Sequence, residues 1–286
     1  LQSFSVLIFG YLFCKPKPPM RLLPIMLLLW GGLFTSLQAQ SFFTGTRVSP
    51  AQEAYDQGIA AMEEGTWGQA LEYFEQALHE DTAFIDAHIA HGIACRQLYR
   101  QNEALKSFNK AINLYPRSLL AHEQLALLYK DMGFFEDAAG VYKQLLTHYP
   151  GYAAGFSGLA ETYFSLGEKK SGVESSEAIE AFRASIQAAE MGMSLYLRTE
   201  NNRNAADLRL LAARGYMEIG DYGKALKYMK ASRRQLEDKP YYYYYLGLCY
   251  FRKGDKEKAS EYLDQARSMG YRVPAYLENR LKNWNE

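Results

Sequence analysis

Gly220-Asp221-Tyr222-Gly223-Lys224-Ala225-Leu226-Lys227-Tyr228 returns 34 residues later as Gly254-Asp255-Lys256-Glu257-Lys258-Ala259-Ser260-Glu261-Tyr262. Gly-Asp, Lys-Ala and the final Tyr keep their offsets. Toward the N-terminus the same frame reads Gly65…Ala70…Phe74…Ala77, then Ala104…Phe108…Ala111…Pro116, then Gly133…Ala138…Tyr142…Pro150. The steps from Ala70 to Ala104 to Ala138 are again 34 residues each. A fixed period of this length marks a stacked array, because one short unit cannot bury its apolar side alone.

Each unit carries the signals of two helices. A small residue stands in the first helix where the second must cross it: Gly58, Gly92, Ala126, Ala160, Ala213 and Gly247. Helix axes approach to about 8–10 Å, so a large side chain there would force the pair apart. Three residues later comes a residue expected at the groove, aromatic in most units: Tyr129, Tyr163, Tyr216 and Tyr250. Gly65, Gly133, Gly167, Gly220 and Gly254 are expected to close the first helix in a left-handed conformation. Ala and an aromatic four apart, as in Ala70/Phe74 and Ala104/Phe108, share one face of the second helix. Pro116 and Pro150 stop it by removing a donor.

This pattern resembles the tetratricopeptide repeat, a helix–turn–helix unit of 34 residues, over roughly residues 51–271. The resemblance implies an all-α fold: a right-handed superhelical solenoid of about six helix–turn–helix repeats with a C-terminal capping helix. Six units fit, at 51–84, 85–118, 119–152, 153–192, 206–239 and 240–273. The fourth is irregular, with an insert at 168–177 that delays Ala178 and Phe182 by six residues. Ser171-x-x-Glu174 has the form of a capping box there. A connecting segment, 193–205, carries the breaker-like run Asn201-Asn202-Arg203-Asn204. The insert reads as a surface loop or as a partner-specific one. In 274–286, Ala275, Leu277 and Leu281 are expected to cover the apolar end.

The first 50 residues have a different character. Met20-Arg21 precedes an apolar run, Leu22–Leu37, and then Gln38-Ala39-Gln40. A positive start, a short apolar run and a small residue before the cut describe a signal peptide over 20–39, with cleavage near Ala39. An uncleaved membrane anchor is the alternative. Residues 1–19 read as a non-native extension upstream of Met20, and 40–50 as a linker. Cys14 lacks the small residues that precede a lipid-modified cysteine. Export, with a periplasmic location, is the expectation.

Loss of residues 1–39 would remove Lys15, Lys17 and Arg21 and no acid, changing a net charge of zero to −3. That gives no basic footprint for nucleic acid. Charge is instead distributed by position. Val48–Cys95 holds nine acidic residues and no Lys or Arg, whereas 201–286 holds 17 basic and 11 acidic residues. Such asymmetry can steer a partner, and a solvated helix face also needs charge. Cys95 and Cys249 lie far apart in apolar helical patterns and read as buried free thiols.

His88, His91 and His122 have a spacing that invites a metal reading, but no His-Glu-x-x-His accompanies them. Nucleophile elbow, phosphate loop and dinucleotide fingerprint are likewise absent from the sequence. The expectation is a non-catalytic protein with no cofactor, binding another protein or peptide, with membrane proximity through an envelope complex.

In the family it resembles, first helices line the concave face and grip a peptide. Transferred by position, this implies Tyr55, Ile59, Met62 and Glu63 in unit one, and Ile89, Ile93, Arg96 and Gln97 in unit two. Unit three presents Glu123, Leu127, Lys130 and Asp131; unit four presents Ser157, Glu161 and Phe164. Unit five presents Leu210, Arg214 and Met217, and unit six presents Tyr241, Tyr244, Leu248, Phe251 and Arg252. Aromatic, Met and Arg side chains are frequent among binding hot spots. The clamp for acidic tails found in relatives of this type is missing, since Tyr55, Ile59, Asp86 and Ala90 stand at its positions. The run Tyr241–Tyr245 must point all round a helix, so part of it packs. Exposure of Tyr241 and Tyr244 beside Arg252 gives an alternative function, stacking on sugar rings.

Overall fold

A computed structural model describes residues 49–171 and 176–284; the expected signal peptide, most of the linker and Glu174 of the capping box lie outside them. Among the described residues all regular structure is helical. Unit one is α1 (Pro50–Glu63) with α2 (Trp67–Glu80); unit two is α3 (Ile85–Gln97) with α4 (Gln101–Leu114). Unit three is α5 (Leu119–Asp131) with α6 (Phe135–His148), and unit four is α7 (Ala153–Lys170) with α8 (Ser176–Arg198). Unit five is α9 (Asn202–Glu218) with α10 (Tyr222–Ala231) and the short α11 (Arg233–Leu236). Unit six is α12 (Pro240–Lys253) with α13 (Lys256–Ser268), followed by α14 (Ala275–Lys282). Consecutive helices pack in series, and first helices also touch each other, as α1 does α3 and α9 does α12. This is an all-α solenoid.

The array starts on a capped helix: Ser49 Oγ accepts from Gln52 N at 3.2 Å and Pro50 opens the first turn. Within units the crossing is a glycine against a ring. A Cβ on Gly58 would lie 2.4 Å from Phe74, and one on Gly92 2.5 Å from Phe108. Gly247 meets Leu263 in the same way, at 2.6 Å. Phe74 and Phe108 are fully buried, as are Ala126, Ala160 and Ala213. Tyr115 and Tyr149 leave helical geometry just before Pro116 and Pro150, as a residue preceding proline must.

Gly65, Gly133, Gly220 and Gly254 take positive φ at the ends of first helices. Tyr99 occupies the same position in unit two, at φ +59°, with its ring 88% exposed. Gly167 departs from expectation. It lies inside α7, which runs on to Lys170, and its absent Cβ would stand 2.7 Å from Phe182. The glycine is therefore a crossing residue and not a turn residue. In this longer hairpin the contact has moved along the helix from Ala160 by seven residues, about two turns. At Ala160 the pair is held by Ser185 Oγ donating to the Ala160 carbonyl at 2.7 Å. Ser171 closes α7 by donating its hydroxyl to the Glu168 carbonyl at 2.8 Å.

The segment 193–205 is divided between two helices. Met193–Arg198 completes α8, and Asn201 caps α9 by accepting from Asn204 N at 3.2 Å. Asparagine-rich sequence suits this cap, because a short side-chain carbonyl reaches the orphan donors of a first turn. At the C-terminal end Val273 and Leu277 are buried against unit six and Leu281 is half-buried. Ala275 is exposed, contrary to expectation; two residues from Leu277, it lies on the opposite side of α14.

Candidate groove of units four to six

The first helices α7, α9 and α12, with the end of α8, enclose a cavity of about 570 Å³. Ser157 and Glu161 line it from α7 and Tyr196 from α8. From α9 come Asn204, Asp207, Leu208, Leu210, Leu211 and Arg214, and from α12 Tyr241 and Tyr245. Tyr196 belongs to the part of α8 beyond unit four's expected end, so the long hairpin supplies one wall. Arg214 crosses the middle. Its guanidinium lies 4.2 Å from the Phe164 ring centroid and 4.8 Å from that of Tyr245, and Nη2 is 3.6 Å from Glu168 Oε1. Tyr241 and Asp207 line the same cavity. Asp207 lies open to the cavity's water, yet surrounding protein desolvates it and raises its pKa, against the lowering influence of Arg203 and Lys239.

Of the groove residues expected from sequence, Leu210, Arg214 and Tyr241 meet here, with Ser157 and Glu161. Others are core. Tyr55, Ile89, Ile93, Phe164, Leu210, Met217 and Leu248 are at most 9% exposed. Tyr55 packs on Phe74 and Phe84, with ring centroids 5.8 and 5.0 Å away. Of these, only Leu210 reaches a cavity wall as well. This burial has one cause. Neighbouring first helices contact each other, so part of each supposed groove stripe is consumed between units. Ile59 and Met62 pack half-buried against the same core, and Leu127 is half-buried.

The cations are consumed as well. Arg96 Nε lies 3.1 Å from Asp131, and Lys130 Nζ 3.0 Å from Glu161. Arg214 is matched by Glu168, and Arg252 Nη1 lies 2.8 Å from Glu218. Each pair joins one first helix to the next, forming a ladder of inter-unit contacts in place of free partner-binding charges. Arg96 also donates to Gln124 at 2.7 Å. Glu123 accepts from Tyr152 at 2.5 Å, while burial raises its pKa.

The tyrosine run is split. Tyr242 and Tyr243 are buried. Tyr244 stacks on Tyr271 at 4.6 Å, and burial pushes its pKa up to about 12. Phe251 meets Trp284 edge-on at 5.1 Å. The end of the chain thus covers two residues expected to face a partner, and the sugar-stacking surface expected from Tyr241 with Tyr244 is broken up. Of the aromatics expected at the groove three residues past each crossing, Tyr163, Tyr216 and Tyr250 contact second helices instead. Tyr250 is buried and stacks on Tyr262 at 5.5 Å. Tyr216 and Tyr228 donate to Glu190 at 3.1 and 2.5 Å, which ties α9 and α10 to α8.

His88, His91 and His122 are each hydrogen-bonded within the chain. His88 Nε2 contacts the Thr82 carbonyl at 3.0 Å, and His122 Nδ1 donates to the Ser118 carbonyl at 2.7 Å. His91 Nδ1 bonds Ser107 Oγ at 2.8 Å and Glu75 lies 3.8 Å from its Nε2. Ser107 and His91 are buried between α3 and α4, where the bond satisfies both side chains. Among the described residues no three His, Cys, Asp or Glu side chains converge as a metal site would require. Cys95 and Cys249 are free and buried, which raises each thiol to about 11.

A family model described as tetratricopeptide repeat matches residues 55–118, 123–190 and 210–271, well over half of the chain. The chain belongs to the tetratricopeptide repeat family. Among solved structures, PilW, a type IV pilus biogenesis factor, aligns with TM-score 0.60 at 16% identity, covering 81% of this chain and 98% of that one. YrrB, a tetratricopeptide repeat protein with an unusual peptide-binding site, aligns with TM-score 0.55 at 18% identity, covering 73% and 97%. MamA of Desulfovibrio magneticus RS-1 gives 0.54 at 14%, covering 66% and 97%. These likenesses concern the fold. A probable UDP-N-acetylglucosamine–peptide N-acetylglucosaminyltransferase, SPINDLY of Petunia hybrida, is 28% identical over 129 residues, 42% of this chain. The chain spans only 14% of that relative's length.

Proposed function

We propose that this tetratricopeptide repeat protein is a non-catalytic interaction scaffold that holds an extended or helical segment of another protein in the groove of units four to six. The observation that carries the reading is the cavity lined by three successive first helices. Its walls combine aromatic rings, aliphatic carbon and a few polar groups, the mixture that fixes a bound side chain. YrrB's described peptide-binding site supports a peptide as occupant by analogy of fold alone. Export to the cell envelope remains part of the proposal, on the strength of Met20–Ala39; mass determination of the N-terminus after expression in a Gram-negative host would find Gln40 first.

The groove is tested by affinity capture from the source cell's extract, using the full chain and a Tyr196→Ala/Tyr241→Ala variant. Both rings are only half-buried, so circular dichroism should show unchanged helix content. A protein retained by the parent and lost by the variant is the expected result. Identical capture by both would place the interaction elsewhere.

A further inference from the structure

We propose that the groove of units four to six selects a partner segment carrying a lysine or arginine, whose cationic head is received by Asp207 between the rings of Tyr196 and Tyr241. This deepens the peptide-groove reading and rests on it. Charges around the cavity are paired except at one carboxylate. Glu161 is matched by Lys130 at 3.0 Å, and Arg214 by Glu168 at 3.6 Å, so these four groups cancel in pairs. Asp207 has no cation within ion-pair distance among the described residues. Two cations lie near it: Lys239 is held by Asp238 at 2.7 Å, and Arg203, one turn earlier on α9, stays beyond ion-pair distance. The exposed Asp207 carboxylate lines the cavity beside Tyr241, which leaves lone pairs open to an incoming donor.

The rings point to the same class of ligand. Tyr245 already stacks on Arg214 and cannot take a second cation on that face. Tyr196 and Tyr241 line the cavity, and among the described residues neither ring stacks on another ring or a cation. An aromatic face beside a carboxylate attracts a cation through the ring quadrupole and the charge together. An incoming carboxylate would meet the unmatched Asp207, while the one lining cation, Arg214, is already covered on two sides by rings. The polarity is the reverse of a clamp for acidic tails.

The test begins by selecting phage-displayed random dodecapeptides on the full chain. The consensus peptide is then synthesised with its basic residue kept or replaced by Gln. Affinities are read by fluorescence anisotropy on the parent, on Asp207→Asn, and on Ser157→Trp, which fills the cavity from α7 while sparing both carboxylates. The proposal expects Lys or Arg enriched at one position, about tenfold loss with Gln on the parent, and less than twofold on Asp207→Asn. Binding should also be lost on Ser157→Trp. A consensus without a basic residue, or an equal loss on parent and Asp207→Asn, overturns the basic-ligand proposal and leaves the groove standing. Peptides that bind Ser157→Trp as well as the parent, or no enrichment at all, overturn both.

Discussion

Unit two pairs a helix of 13 residues with one of 14, whereas unit four pairs 18 with 23. Both hairpins use one contact, a glycine under a phenylalanine ring: Gly92 with Phe108 and Gly167 with Phe182. Added length has not stretched that contact; it has moved it two turns along the helix and left the excess beyond. The excess at the far end of α8 carries Tyr196 to the cavity wall. The regular repeat supplies stacking alone, and the irregular one also supplies a cavity wall.

Removing the ring on either side is the strongest way to break this comparison. Phe108→Ala and Phe182→Ala should each cost about 3–5 kcal/mol, read by urea unfolding. A small loss at Phe182 alone would mean that the crossing has not moved. Gly167→Ala sharpens the point. In an ordinary helix interior the change would gain about 1 kcal/mol; here the methyl would press on Phe182, and a net loss of about 1–3 kcal/mol is expected. A gain would make Gly167 a turn residue that the helix has overrun. At the other extreme stands Tyr99, whose left-handed backbone costs energy that glycine avoids at the equivalent position of four other units. Tyr99→Gly should raise stability by about 0.5–1 kcal/mol in the same assay.

Acid should divide the two regions further. His91 and His122 are buried in units two and three, and burial lowers the pKa of both. Below the unfolded value of about 6.5 the unfolded chain binds more protons than the folded one. The stability these groups contribute is complete above that pH and declines as pH falls toward their lowered folded values. Hydrogen exchange at pH 5.5 should therefore show units two and three opening faster relative to pH 7.5 than units five and six do. Equal acceleration in both halves would contradict the assignment.

The period, the crossing glycines and the proline stops were all legible, because each is a local demand on one residue type. Gly167 misled for the same reason: glycine serves a turn and a close approach equally well, and only helix length distinguishes them. The groove was harder to read. Residues four apart on a first helix share a face, but whether that face meets a partner or the next unit depends on stacking. Tyr55, Ile93 and Leu248 are buried in the core, whereas Tyr241 lines the cavity. The ion ladder spans separations such as Arg96 to Asp131, which no local pattern announces. Tyr196 was missed because it lay beyond the expected end of its unit.

The account stands on the groove of units four to six being the surface that meets a partner. The most direct test is photo-crosslinking in the source cell, with benzoylphenylalanine at position 241 in one strain and at 109, on the exposed side of α4, in another. A discrete adduct from 241 and none from 109 is the predicted result. An adduct from 109 alone, or equal adducts from both, would contradict it.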